Sequence, residues 1–251
     1  MGTVTFLLAA TLFFAGDSTL DDNGFRPPYR SWGREVGALM TPGNVISNFA
    51  KSGHSTKSFR ADGHWAKLIA AVKSGDFVLI QFGHNDQKNY SPFYLKERYA
   101  DPNGLFREIV RGWVKEVRAK GAKPILASPI CRGQFEADGK RVRDGGLGAY
   151  RDAMMELSVE LGCDFVDMNT LTRRLMERVG RKETEKFFVI STGLIKSKDG
   201  EPSQDVTHPI KAGAVAFAKL FADDVKKRGL PVASLFRDGR RIGSARVEKG
   251  E

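Results

Sequence analysis

The sequence predicts an α/β fold in which a parallel sheet is covered by helices on both faces. Two observations carry this reading. Short apolar runs alternate with stretches of helical periodicity along the whole chain, and no shift in composition marks a second unit. The clearest runs are also apolar at consecutive positions, the pattern of strands buried on both sides.

Taken in order, residues 5–15 read as a buried strand rich in Val, Leu, Phe and Thr, ended by Gly16. A polar loop with Asp21, Asp22, Asn23, Pro27 and Pro28 follows. Residues 31–39 have helical spacing, with Trp32, Val36 and Leu39 facing inward. Residues 44–49 form a short strand. Residues 58–73 read as one helix presenting Trp65, Leu68, Ile69 and Val72 to the core. Residues 76–82, with Phe77, Val78, Leu79 and Ile80 after Gly75, give the clearest strand. The segment 83–103 is a long loop and a candidate for substrate contact. A helix at 105–120, a strand at 123–128 and a helix at 147–161 come next, the last after a polar loop to about residue 143. A brief strand at 165–168, a short helix at 170–179 and a closing helix at 209–228 complete the pattern. The chain 1–251 reads as one domain with a short C-terminal extension at about 229–251, where 236–240 have the composition of a hairpin turn.

Composition narrows the function. A chain of 251 residues, 41% hydrophobic and with 17 Phe, can bury a sizeable core. The 40 Lys and Arg against 30 Asp and Glu give a formal charge of +10, which favours polyanionic partners. These basic residues are scattered over helices and join no nucleic-acid-binding module, so no nucleic acid is expected as partner. An acidic carbohydrate remains compatible with the charge. Cys131 and Cys163 form no Cys-x-x-Cys pair and read as small packed side chains. The apolar run 4–15 has no basic residue before it and is too short to span a bilayer. It therefore reads as a strand, neither signal peptide nor membrane anchor. The compartment stays open: cytoplasmic as the sequence stands, secreted or periplasmic if a signal has been removed.

Four short segments hold the candidate chemistry. Ser18 follows a strand in a turn opened by Gly16, where its hydroxyl can point into a cleft at the carboxyl end of the sheet; an N-cap is its alternative role. A serine hydroxyl needs a base, and His208 supplies an imidazole. Asp205, three residues earlier, can fold back to the Nδ1–H of that ring or satisfy a helix start. An oxyanion needs donors, which the Asn85 amide and the backbone N–H groups of Gly53 and Ser18 can provide. No phosphate loop or dinucleotide fingerprint is present. Two alternatives are a metal-dependent hydrolase using His84, Asp86 and His208, with Asp17 nearby, and a non-catalytic carbohydrate-binding domain.

The segments Ala15-Gly16-Asp17-Ser18-Thr19, 48–55, Gly83-His84-Asn85-Asp86 and Asp205-Val206-Thr207-His208 resemble the four ordered blocks of the SGNH (GDSL-type) hydrolases. Residues 78–87 and Trp32-Gly33 are most similar to the rhamnogalacturonan acetylesterase-like carbohydrate esterases. The resemblance implies a flavodoxin-like three-layer α/β/α sandwich with a five-stranded parallel sheet, and a serine mechanism without a cofactor. Ser18 would be the nucleophile, His208 the base, Asp205 its orienting carboxylate, and Ser18, Gly53 and Asn85 the oxyanion hole. It further implies an acetylated plant polysaccharide as substrate, pectin or rhamnogalacturonan by charge, with xylan equally compatible with the catalytic residues. One departure stands out: His54 occupies a position where related acetylesterases often have arginine.

Overall fold

The computed structural model describes residues 10–21, 27–188 and 205–237. Among these, β1 (Thr11–Gly16), β2 (Val45–Asn48), β3 (Phe77–Gln81), β4 (Lys123–Ala127) and β5 (Asp164–Val166) form one sheet in the order β2-β1-β3-β4-β5. Every pairing is parallel; Phe14 stands between Asn48 on β2 and Leu79 on β3, and Ile80 pairs with Leu126 on β4.

Parallel neighbours need crossovers, and helices supply them. These are α1 (Trp32–Val36), α2 (Thr56–Ala61), α3 (His64–Ala71), α4 (Pro92–Glu97), α5 (Leu105–Ala119), α6 (Gly148–Leu161), α7 (Met168–Val179), α8 (Arg181–Thr184) and α9 (Lys211–Lys227). Because successive side chains on a strand point to opposite faces, the apolar runs feed two cores. Leu12, Phe14, Leu79 and Ile125 pack with Trp32, Phe217 and Phe221 from α1 and α9. Phe13, Ala15, Val78, Ile80 and Leu126 pack with Trp65 and Trp113 from α3 and α5. The two indoles stack with ring centroids 4.4 Å apart. This is the flavodoxin-like α/β/α sandwich that the sequence implies.

The chain leaves β1 for β2 on one side and returns with β3 on the other. A crevice therefore opens between the carboxyl ends of β1 and β3, where ligands of such sheets bind.

Several boundaries differ from expectation. The helix expected at 58–73 is two, because Gly63 takes φ 74°, a left-handed conformation that breaks α2 from α3. Ser55 caps α2 through a reciprocal bond with Ser58, so α2 also starts earlier. The loop at 83–103 contains α4, capped by Ser91 and opened by Pro92. The closing helix starts at Lys211 rather than Pro209, whose carbonyl instead accepts the Arg30 N–H at 2.9 Å. Residues 230–237 stay on the body of the fold: Val232, Leu235 and Phe236 are buried in the core with α9. Residues 5–9 of the first expected strand and 238–240 of the expected hairpin lie outside the described residues.

Candidate active site

The turn after β1 is built so that Ser18 stands at its apex. A Cβ on Gly16 would lie 2.5 Å from Leu20 Cδ1 and 3.0 Å from the Gln81 carbonyl oxygen, so glycine lets β1 turn tightly beside β3. The Asp17 carbonyl accepts the N–H groups of Leu20 and Asp21, each at 3.1 Å. Its side chain accepts the Thr19 N–H and hydroxyl, each at 2.9 Å. Ser18 caps no helix here, since Ser31 caps α1. Its hydroxyl is directed elsewhere.

His208 Nε2 lies 2.8 Å from Ser18 Oγ, and His208 Nδ1 lies 2.7 Å from Asp205 Oδ2. The other Asp205 oxygen accepts the N–H groups of Thr207 and His208, at 2.8 and 3.0 Å. Asp205 thus orients the ring and ties its own loop, and it caps no helix, since α9 starts at Lys211. Burial opposes its charge, but the bond to His208, the charge of that ring and the two N–H donors outweigh burial and bring the carboxyl down to about 2. An ionised Asp205 fixes a proton on Nδ1 and leaves Nε2 to accept from the serine. The three groups therefore have the geometry of a proton relay ending on a hydroxyl.

The proposed oxyanion donors come from two other segments. Gly53, at φ 77°, lies in the turn after β2, which Lys51 ties to β1 through its N–H to the Gly16 carbonyl at 2.9 Å. Asn85 follows β3 and donates from Nδ2 to the His54 carbonyl at 3.0 Å. Lys88 Nζ donates to Asn85 Oδ1 at 2.7 Å, which fixes the amide with its NH₂ turned away from the lysine. No protein acceptor takes the N–H of Ser18 or Gly53 among the described residues. One amide N–H and two backbone N–H groups are therefore held by three strand ends.

Residues 14–216 match the GDSL-like Lipase/Acylhydrolase family. The chain belongs to this family. It is a carboxylic ester hydrolase. It is 33% identical to rhamnogalacturonan acetylesterase RhgT of Bacillus subtilis over 222 residues, covering 88% of this chain and 91% of that one. The solved structure of YxiM from Bacillus subtilis superposes with a TM-score of 0.73 at 26% identity, over 89% of this chain and 58% of that one. An acetylxylan esterase from Geobacillus stearothermophilus shares the fold, with a TM-score of 0.61 at 18% identity over 87% of this chain and 95% of that one.

In this GDSL-type hydrolase the residues of the metal-dependent alternative do not converge. His84 Nδ1 is 3.2 Å from Asp17 Oδ2, with both side chains buried. Burial is the largest influence on His84 and keeps its ring neutral despite Asp17. Asp86 turns the other way, accepting the Thr56 N–H at 2.8 Å and hydroxyl at 2.6 Å. Burial pushes the Asp86 carboxyl up to about 7 against those bonds. Among the described residues, the ligand atoms that come together belong to His54, Asp62 and His64 instead.

Three further residues escape a reading of the sequence. Tyr29 lies edge-on to His208, ring centroids 5.8 Å apart, and its hydroxyl is hydrogen-bonded to Asp205. Burial and that carboxylate push its phenol up to about 12, which keeps it a donor. Lys88 orients Asn85, as above. Arg98, at the end of α4, brings its guanidinium within 3.4 Å of where a Gly53 Cβ would stand. An arginine therefore reaches the glycine after all, from the 83–103 segment rather than from position 54. Lys88 sits three residues after Asn85 and is traceable in sequence; Tyr29 and Arg98 carry no local signal.

Among the described residues, no helix is long and apolar enough to cross a membrane. Cys131 and Cys163 are both free thiols.

Proposed function

We propose that this ester hydrolase removes O-acetyl groups from an acidic plant polysaccharide of the rhamnogalacturonan type, through an acetyl-serine at Ser18. The hydrogen-bonded series from Ser18 through His208 to Asp205 carries the reading. His208 Nε2 takes the serine proton as Oγ attacks the acetyl carbonyl carbon. The carbonyl oxygen, now an anion, is met by the N–H donors of Ser18, Gly53 and Asn85. The bond to the sugar oxygen then breaks, and that oxygen leaves with the proton from Nε2. A water molecule gives a proton to the same nitrogen as it attacks acetyl-Ser18; the acyl–Oγ bond then breaks, Ser18 Oγ takes that proton back, and acetic acid leaves. Tyr29 and Asp205 hold the ring in register throughout.

The substrate class is supported by what borders the oxyanion donors. Lys88 Nζ and the Arg98 guanidinium lie 5.4 and 5.5 Å from the Tyr94 ring centroid. Among the described residues neither cation is paired with a carboxylate. Tyr90 and Phe93, exposed at 70% and 58%, adjoin Tyr94. Aromatic faces suit sugar rings, and two unpaired cations suit a uronate carboxylate. The similarity to an enzyme named rhamnogalacturonan acetylesterase points the same way.

The test is acetate release from acetylated rhamnogalacturonan, acetylated homogalacturonan and acetylxylan, with Ser18→Ala as control. Rhamnogalacturonan is expected to give the highest kcat/KM. Arg98→Gln is expected to lower the ratio of kcat/KM on rhamnogalacturonan to that on acetylxylan by about tenfold. Equal or greater activity on acetylxylan, with a ratio indifferent to Arg98, would refute the acidic substrate. Activity retained by Ser18→Ala would refute the nucleophile.

A further inference from the structure

A second cluster of chemically capable side chains lies at the corner between α2 and α3, outside the Ser18–His208–Asp205 relay. Asp62 ends α2, Gly63 turns the chain in its left-handed conformation, and His64 opens α3. That corner faces His54, in the segment carrying Gly53. One ligand atom from each of His54, Asp62 and His64 lies within 4.8 Å of the other two. The two imidazoles meet edge to face, centroids 4.8 Å apart, and Phe59 backs His64 at 5.4 Å.

The hydrogen bonding of His54 is the informative part. Its Nδ1 lies 3.1 Å from the Ser52 carbonyl oxygen, which can only accept. Its Nε2 lies 2.9 Å from Asp62 Oδ2, a second acceptor. A neutral imidazole has one N–H for these two acceptors. A cation held at Nε2 would engage that nitrogen and the carboxylate together. A histidine donating Nδ1–H to a backbone carbonyl while presenting Nε2 is the usual posture of a metal ligand. His64 adds a second nitrogen.

We propose that His54, Asp62 and His64 form a binding site for a divalent transition metal of the zinc type. Two imidazoles and a carboxylate suit that ion, with water completing the shell. Tetrahedral zinc with bonds near 2.0–2.2 Å needs ligand atoms about 3.3 Å apart. His54 Nε2 and Asp62 Oδ2 already lie 2.9 Å apart, so it is the His64 nitrogen that must draw closer to this pair, and the 58% exposed Asp62 side chain has room to adjust. The site is tied to the esterase centre by two short links. Gly53 directly precedes His54, and the His54 carbonyl accepts from Asn85 Nδ2. A cation holding the His54 ring thereby braces the segment that carries Gly53 and whose carbonyl holds the Asn85 amide.

The test is equilibrium dialysis of the metal-stripped full chain against zinc chloride, with bound metal measured directly. Wild type is expected to retain one zinc per chain, and Asp62→Asn and His64→Ala are each expected to bind at least tenfold more weakly. His208→Ala is expected to bind as wild type does, which separates this site from the imidazole beside Ser18. Asp62→Asn is a conservative change at an exposed position, so a folding failure of His64→Ala does not remove the test. Absence of stoichiometric binding by wild type would overturn the proposal, leaving a plain His54–Asp62 hydrogen bond as the reading of the contact. So would binding indifferent to both substitutions, or binding lost in His208→Ala.

Discussion

Two histidine–aspartate pairs lie close to Ser18, and they differ in burial and in what the second ring nitrogen meets. His84 and Asp17 have 3% and 0% of their side chains exposed, and no partner is found for His84 Nε2 among the described residues. His208 and Asp205 are 25% and 19% exposed, and His208 Nε2 meets the Ser18 hydroxyl. A carboxylate beside an imidazole is thus common to a pair that holds a turn and a pair arranged to move a proton. The second nitrogen, and access to it, distinguish them. His84 braces Asp17, which shapes the turn; His208 faces the group on that turn that can react.

The sharpest way to break this contrast is to remove each ring. His208→Ala is expected to lower kcat on p-nitrophenyl acetate by about 10⁴-fold with little change in the unfolding midpoint. His84→Ala leaves the Asp17 carboxylate buried without its imidazole and is expected to lose roughly 1.5–3 kcal/mol of stability. Its folded fraction should keep far more activity than His208→Ala does. An equal loss of kcat in both variants, at unchanged stability, would erase the distinction.

A smaller effect probes the donors facing the relay. Asn85→Ala is expected to lower kcat by about 10²–10³-fold with a modest change in KM, as for loss of one oxyanion donor. An effect confined to KM would place Asn85 in substrate binding instead.

The buried side of the comparison has its own pH signature. The Asp86 carboxyl is held at about 7 in the folded chain against an ordinary 3.8, so the folded state binds that proton more tightly. Its contribution is therefore greatest below about pH 3.8 and falls as pH rises towards 7. Asp205 acts with the opposite sign, stabilising above about 3.8 and losing its effect as pH falls towards 2. Denaturant unfolding across this range should show Asp86→Asn with a flatter decline between pH 4 and 7, by roughly a few kcal/mol. An unchanged slope would remove Asp86 as its source.

The smallest expected effect is that of Tyr29→Phe. Losing one hydrogen bond to the ionised Asp205 should reduce kcat by roughly tenfold, with KM near wild type. No change in kcat would make Tyr29 a packing residue only.

The parts of this arrangement that were legible in sequence are those set by local chemistry. Consecutive apolar residues at Phe77, Val78, Leu79 and Ile80 announce a doubly covered strand. Gly16 before Ser18 announces a tight turn, and Asp205 three residues before His208 is close enough to close onto the ring. What escaped depends on contacts distant in sequence. The Tyr29 hydroxyl meets Asp205 only because 29–30 pair with 209–210, as in the bridge from Tyr29 to Ile210. Arg98 reaches Gly53 only because α4 folds the 83–103 segment back over β2's end. The break at Gly63 was hidden because the apolar spacing of Trp65 and Leu68 continues a helical pattern begun near Phe59. The same break brings Asp62 and His64 together opposite His54, a convergence that the spacing of the three residues does not announce.

The central claim is that Ser18 carries the acyl group during turnover. Rapid mixing with p-nitrophenyl acetate, acid quenching and peptide mapping by mass spectrometry test it directly. The account predicts a burst of p-nitrophenolate and one acetyl group on the peptide containing Ser18, absent from Ser18→Ala. Full turnover by Ser18→Ala, or an acetyl group carried on another residue, would contradict it.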